Sequence, residues 1–176
     1  TRTAGEFMRR GRFLGLLLVL LLLPMAGCAE RTTVILVRHA EKVAGSGDVA
    51  LTEPGRARAT RLAELLKHAG ITAVFATPYE RTRGTAQPTA QALGIEVTVT
   101  PISGATSAFA QSFAARVLQD FKGKTVLVVG HSNTTPEVIQ ALGAPAVPAI
   151  PDAEYDNLYI VQVESGGRAQ LIRAKY

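Results

Sequence analysis

Val34-Ile35-Leu36-Val37-Arg38-His39-Ala40-Glu41 is the stretch on which the reading of this chain turns. Four apolar residues, three of them β-branched, run directly into an Arg-His pair. A short apolar run bounded by polar residues reads as a buried strand, of the kind found in a parallel sheet. In open α/β sheets, ligands bind just outside the carboxyl ends of strands. Arg38 and His39 stand where this strand would end. Taken alone, the stretch is also compatible with an ordinary strand meeting two basic residues at the surface.

Two later strands end in the same way. Ile71 to Ala76 runs into Thr77-Pro78-Tyr79-Glu80-Arg81, and Thr125 to Val129 runs into Gly130-His131-Ser132-Asn133. Between them the chain alternates strand-like and helix-like segments, the pattern of an α/β fold. It predicts a three-layer sandwich with a mostly parallel central sheet flanked by helices. The first helix enters at Leu51-Thr52-Glu53-Pro54-Gly55, with Thr52 as N-cap and Pro54 in the first turn. It runs to about Ala69, with Gly70 as its stop. His68, in its last turn, suits the helix dipole and reads as structural.

The second helix runs to Leu93 and stops at Gly94, with Pro88 marking a kink or a late start. Ile95 to Thr100 reads as a third strand. Ala108 to Phe121 reads as a third helix, with Phe109, Phe113, Val117, Leu118 and Phe121 on its core face. Thr134 or Thr135 is expected to cap a short fourth helix. Leu158 to Glu164 and Ala169 to Lys175 read as a closing hairpin.

The net charge of the 176 residues is +5. Four arginines and one glutamate precede residue 28, so the remainder carries fifteen basic and thirteen acidic side chains. No basic run is interleaved with aromatics, which argues against nucleic acid. Residues 1–7 precede the first Met and read as a vector-encoded leader. Residues 8–27 read as an export signal: Arg9, Arg10 and Arg12, then an apolar run from Phe13 to Leu23. That run falls short of the roughly 20 residues needed to span a bilayer. Met25-Ala26-Gly27-Cys28 resembles a bacterial lipobox, so Cys28 is the expected lipidation site. Its lipid would be the protein's one attachment to a membrane, in an exported, periplasmic or outer-envelope location. Cys28 is the only cysteine, which excludes an intrachain disulfide. With three histidines in the chain, no metal site is expected.

Two arginines and two imidazoles at one sheet edge suit a dianion. Arginine offers planar, bidentate contacts to phosphate oxygens and stays charged. Backbone N–H groups near Ser132, at a helix start, would add donors.

The ordered set Val-Arg-His-Ala-Glu at 37–41, Leu51-Thr52-Glu53-Pro54-Gly55-Arg56, Thr77-Pro78-Tyr79-Glu80-Arg81-Thr82 with Thr85-Ala86, and Gly130-His131-Ser132 resembles the histidine phosphatase superfamily, phosphoglycerate mutase-like. Ala40 stands where the family pattern has glycine. The resemblance spans Thr33 to Leu142 and implies that residues 28–176 form one such domain, of the compact branch. It implies His39 as nucleophile, and Arg38, Arg81 and His131 as phosphate-binding catalytic residues. It implies a phosphatase acting on a phosphorylated small molecule or macromolecule, without cofactor. The alternatives are a phosphomutase and a non-catalytic phosphate-ligand-binding lipoprotein. A serine hydrolase on Ser132 is disfavoured, because Gly-His-Ser-Asn is not a nucleophile elbow.

One part is missing. Many members of the family carry a Glu after the third strand, whereas Val97 to Gln119 contains no acidic residue. The candidates for the leaving-group acid are Glu41, Glu80, Asp152, Glu154 and Asp156, with Glu41 equally readable as the partner of an arginine.

Overall fold

The computed structural model describes residues 30–176. The expected leader, export signal and lipidation site at Cys28 lie outside those residues. No helix among the described residues is long and apolar enough to cross a membrane.

The elements follow in the order β1 (Arg31–Arg38), α1 (Glu53–Leu66), β2 (Ile71–Ala76), α2 (Glu80–Leu93), β3 (Val97–Val99), α3 (Thr106–Asp120), β4 (Thr125–Gly130), α4 (Thr134–Ala141), β5 (Asn157–Glu164) and β6 (Ala169–Lys175). They build one six-stranded sheet in the order β3-β2-β4-β1-β5-β6. The first four strands in that order run parallel, β5 runs antiparallel to β1, and β6 turns back antiparallel to β5. The result is the α/β sandwich expected from the alternation of elements.

The run that opens β1 explains itself by the period of a strand. Val34 and Leu36 face α3 and α4, where they pack with Phe113, Val117, Val138 and Ile139. Ile35 and Val37 face α1 and α2, where they meet Leu62, Leu66, Ala86 and Ala90. All four are buried, so both faces of the central strand lie in the core and no polar alternation is possible.

The entry signal holds at α1: Thr52 is the N-cap, its hydroxyl accepting from the Gly55 N–H, but the helix ends at Leu66 with Lys67 at its C-cap, short of the expected Ala69. Two further expectations need correction. The third strand is Val97–Val99 rather than Ile95 to Thr100, because the Ile95 N–H is taken by the Ala90 carbonyl in the Gly94 helix stop. The fourth helix begins at Thr134 with Asn133 at its N-cap, so neither threonine caps it. The Thr134 hydroxyl instead accepts from the His131 N–H. Pro88 lies inside α2, which continues through it.

Gly55 is fixed by a close approach. A Cβ there would stand 2.1 Å from the Glu41 carbonyl oxygen. That carbonyl also accepts from the Thr52 N–H at 2.9 Å, so it has no freedom to retreat. Gly55 thus lets α1 press against the segment that follows His39. Gly55→Ala should destabilise the fold by about 1–3 kcal/mol or more, the cost of overpacking a rigid site. Denaturant unfolding of the purified variant measures it, and an unchanged midpoint would contradict the packing described.

Candidate active site

The sheet order places the carboxyl ends of β2, β4 and β1 side by side. In register, Arg38 lies opposite Gly130 and Ala76 opposite Val129. The next residues, His39, His131 and Thr77, therefore meet at one edge. The His39 N–H donates to the Gly130 carbonyl at 2.9 Å, extending the ladder by one bond. A cleft of about 350 Å³ opens there, lined by Arg38, His39, Arg81, His131, Ser132 and Asp152 among others.

His39 is 3% exposed. Its Nδ1 lies 2.8 Å from the Ala40 carbonyl oxygen. A carbonyl only accepts, so Nδ1 carries the proton and Nε2 the lone pair. Burial, with Arg38, Arg81 and Lys42 adding to it, lowers the His39 pKa to about 4, against the opposing pull of the Ala40 bond. The ring is therefore neutral at physiological pH, with a nucleophilic nitrogen available.

The His131 ring stands 5.5 Å from that of His39, centroid to centroid, inclined at 67°. Its Nε2 is 2.9 Å from the Thr77 hydroxyl, which is 2.9 Å from the Thr82 hydroxyl. The Thr82 hydroxyl reaches the Thr77 and Tyr79 carbonyls at 2.9 and 2.7 Å and must donate to one of them. Only one direction then gives every close contact a proton: His131 Nε2–H to Thr77, Thr77 O–H to Thr82, Thr82 O–H to a carbonyl. His131 Nδ1 is left without a protein partner. Burial, followed by the charges of His39, Arg81 and Arg38, lowers the His131 pKa to about 3. An arriving anion reverses that electrostatic pressure and favours protonation at Nδ1.

The two arginines are held from behind. Arg38 Nη1 donates to the carbonyls of Pro151, Asp152 and Glu154 at 2.7, 3.1 and 3.1 Å, and its guanidinium lies 4.5 Å from the Tyr155 ring centroid. Arg81 Nη1 donates to the Gly47 carbonyl at 2.8 Å, and its guanidinium lies 4.2 Å from the Tyr79 centroid. The Nε–H of each is buried without an acceptor. Two unsatisfied cationic donors in one pocket are costly unless an anion completes them.

Arg38, His39, Arg81 and His131 thus line one cleft. Ser132 also lines the cleft, ahead of α4, with its carbonyl accepting from the Ile150 N–H. Glu41 does not come to the cleft, a correction to its candidacy as a catalytic acid. Both its oxygens are held by Arg58, at 2.8 to 3.0 Å. Burial works against the ionised form, but the Arg58 hydrogen bonds and charge prevail and hold the carboxyl below its ordinary range. Glu154 turns to Asn157 and Lys175, and Asp156 to Lys175. Glu80 lines a separate cleft between α1 and α2. Asp152 alone of the five lines the cleft with His39.

Sequence reasoning missed the supporting side chains: Thr77 and Thr82, which orient His131; Thr85, whose hydroxyl accepts from the Ala40 N–H at 2.9 Å; and Tyr79 and Tyr155 beneath the arginines. The signal for Thr77 was its place at the end of a strand adjacent to the one that delivers His131.

Residues 34–102 match the histidine phosphatase superfamily, branch 1. The protein named Probable phosphoglycerate mutase GpmB, of Erwinia tasmaniensis, is 39% identical over 75 residues, covering 39% of this chain and 35% of its own. The chain thus matches about a third of the length of that curated relative. Among solved structures, the protein histidine phosphatase SixA complexed with tungstate superposes with a TM-score of 0.65 at 18% identity, over 81% of this chain and 96% of its own. A mycobacterial glucosyl-3-phosphoglycerate phosphatase gives 0.64 at 15% identity, over 80% and 97%. These two establish likeness of fold. The segment matched by the histidine phosphatase superfamily carries Arg38, His39 and Arg81, and His131 lies beyond it.

The depressed histidine pKa values have a consequence for stability. In the unfolded chain both imidazoles regain the ordinary value of 6.5, against about 4 and about 3 when folded. Below pH 6.5 the unfolded state therefore binds more protons, and stability falls as the pH falls. Down to about pH 4.5, the ordinary value for a glutamate, the lowered carboxylates such as Glu41 contribute little. Chemical unfolding between pH 7 and 4.5 should show this loss, and the His39→Asn/His131→Asn double variant should show a much flatter profile. Equal slopes for the two proteins would contradict the buried, neutral histidines.

Proposed function

We propose that the protein is a phosphatase that works through a phosphohistidine on His39. The observation that carries this reading is His39 itself: neutral, fixed at Nδ1 by the Ala40 carbonyl, and flanked by two arginines whose Nε–H donors are buried and unpaired. A phosphoryl group in the cleft would sit with its oxygens toward Arg38, Arg81 and His131, which offset charge as it moves. His39 Nε2 would attack phosphorus in line, the ester or phosphoramidate bond would break, and water would then release phosphate. The fold it shares with phosphatases, and the superfamily match over residues 34–102, support the reading.

The substrate would be a phosphorylated small molecule or macromolecule, and the reaction would proceed without a metal. Among the described residues, no group of three His, Cys, Asp or Glu side chains is placed to hold one. A phosphomutase is the second reading, favoured by the 39% identity to the Erwinia protein over 75 residues. Against it, the link from Thr100 to Lys124 consists of a short loop and α3, leaving little material for a lid that would retain the phosphate. The sequence before residue 29 supports an exported protein, anchored through a lipid on Cys28.

Hydrolysis of an aryl phosphate in the presence of EDTA is the direct test. The wild type should turn over, and His39→Ala should lose on the order of 10³-fold or more. Retention of activity by that variant, or its abolition by EDTA, would contradict the reading. Radiolabelled fatty acid should enter the chain when it is expressed in a bacterium, and Cys28→Ser should abolish the label. An unchanged label in Cys28→Ser would remove the anchor.

A further inference from the structure

Ester hydrolysis needs a proton for the departing oxygen, and both imidazoles of this cleft are neutral, their single protons engaged by the Ala40 carbonyl and the Thr77 hydroxyl. Among the carboxylates of the described residues, Asp152 alone lines the cleft with His39 and His131. Its backbone is clamped while its side chain is free. Arg38 gathers the carbonyls of Pro151, Asp152 and Glu154, and the Glu154 N–H closes a turn onto Pro151 at 2.9 Å. The Ile150 N–H ties the same loop to the Ser132 carbonyl, next to His131. The Asp152 side chain, by contrast, is fully exposed, and its one contact is Oδ1 to Arg38 Nη2 at 3.3 Å. A single long contact from a fully exposed carboxylate is weak and readily exchanged.

Resting on the phosphatase reading, we infer that Asp152 is the catalytic acid of this enzyme. A phosphoryl dianion entering the cleft competes with the Asp152 carboxylate for Arg38 and displaces it. The displaced carboxylate takes a proton from solvent. As His39 Nε2 bonds to phosphorus and the phosphorus–oxygen ester bond breaks, the Asp152 O–H gives its proton to the departing oxygen. The water that later cleaves the phosphohistidine returns a proton to the carboxylate. The acid thus arrives on the loop before β5, clamped by the arginine that binds the phosphoryl group, and not from the segment after β3.

The experiment compares two esters that differ in their need for a proton. Nitrophenolate leaves unaided; the alkoxide of glycerol phosphate does not. For Asp152→Asn, kcat/KM on glycerol phosphate should fall by about 100-fold or more, and on nitrophenyl phosphate by less than about tenfold. Asp152→Glu should recover part of the alkyl activity, and tungstate affinity should stay within about threefold, because Asp152 does not hold the phosphoryl oxygens. Equal losses on the two esters, or no loss on either, would overturn the assignment while leaving the role of His39 intact. A wild type that hydrolyses neither ester overturns both readings.

Discussion

The hydrogen bond from the His39 N–H to the Gly130 carbonyl is the contact on which the site depends. It continues the parallel β1–β4 ladder one residue past the strands and so sets two imidazoles from distant parts of the chain side by side. A slip of one residue in that register would turn His39 to the opposite face of the sheet. The burial of Val34 to Val37 on both faces forbids the slip, since it would exchange the residues facing α3 and α4 with those facing α1 and α2. Gly130 adds to the constraint: a Cβ there would lie 2.8 Å from the Thr134 hydroxyl, which itself holds the His131 N–H. Core packing and the geometry of the cleft are in this sense one arrangement.

The electrostatics follow from where that arrangement places charge. Arg38 is almost fully buried, and both arginine Nε–H groups lie buried beside two imidazoles with no carboxylate embedded among them. Backbone carbonyls and aromatic rings offset part of the cost, since they favour a cation without neutralising it. Burial of the rings, reinforced by the positive charge that remains, keeps both histidines neutral, and the Nε–H donors stay unpaired. An oxyanion relieves each of these penalties together, which is why such a pocket selects a dianion over a neutral ligand.

Much of this was legible in the residues, for physical reasons that can be named. A central parallel strand must be apolar on both faces, so Val34 to Val37 announced itself, and strand ends in α/β sheets collect function, so Arg38, His39, Arg81 and His131 followed. Caps were legible where the side chain makes the cap, as at Thr52, and illegible at α4, where Thr134 serves a loop N–H instead. The length of β3 was hidden because an edge strand is limited by its single neighbour and not by its own composition. Glu41 could not be placed from spacing alone: whether a carboxylate two residues past His39 faces the cleft or Arg58 is decided by α1, which packs against it through Gly55. The threonine relay to His131 was beyond reach for the same reason, since it joins residues 54 positions apart.

The central claim is that phosphorus becomes bonded to His39 Nε2. Mixing the protein with an aryl phosphate, quenching in base within the first turnovers, and mapping the labelled peptide by mass spectrometry tests it most directly, because phosphohistidine survives base. One phosphoryl group on the peptide that contains His39, absent from His39→Ala, is the expected result. Rapid turnover with no label on any histidine, or with the label on Ser132, would contradict the account.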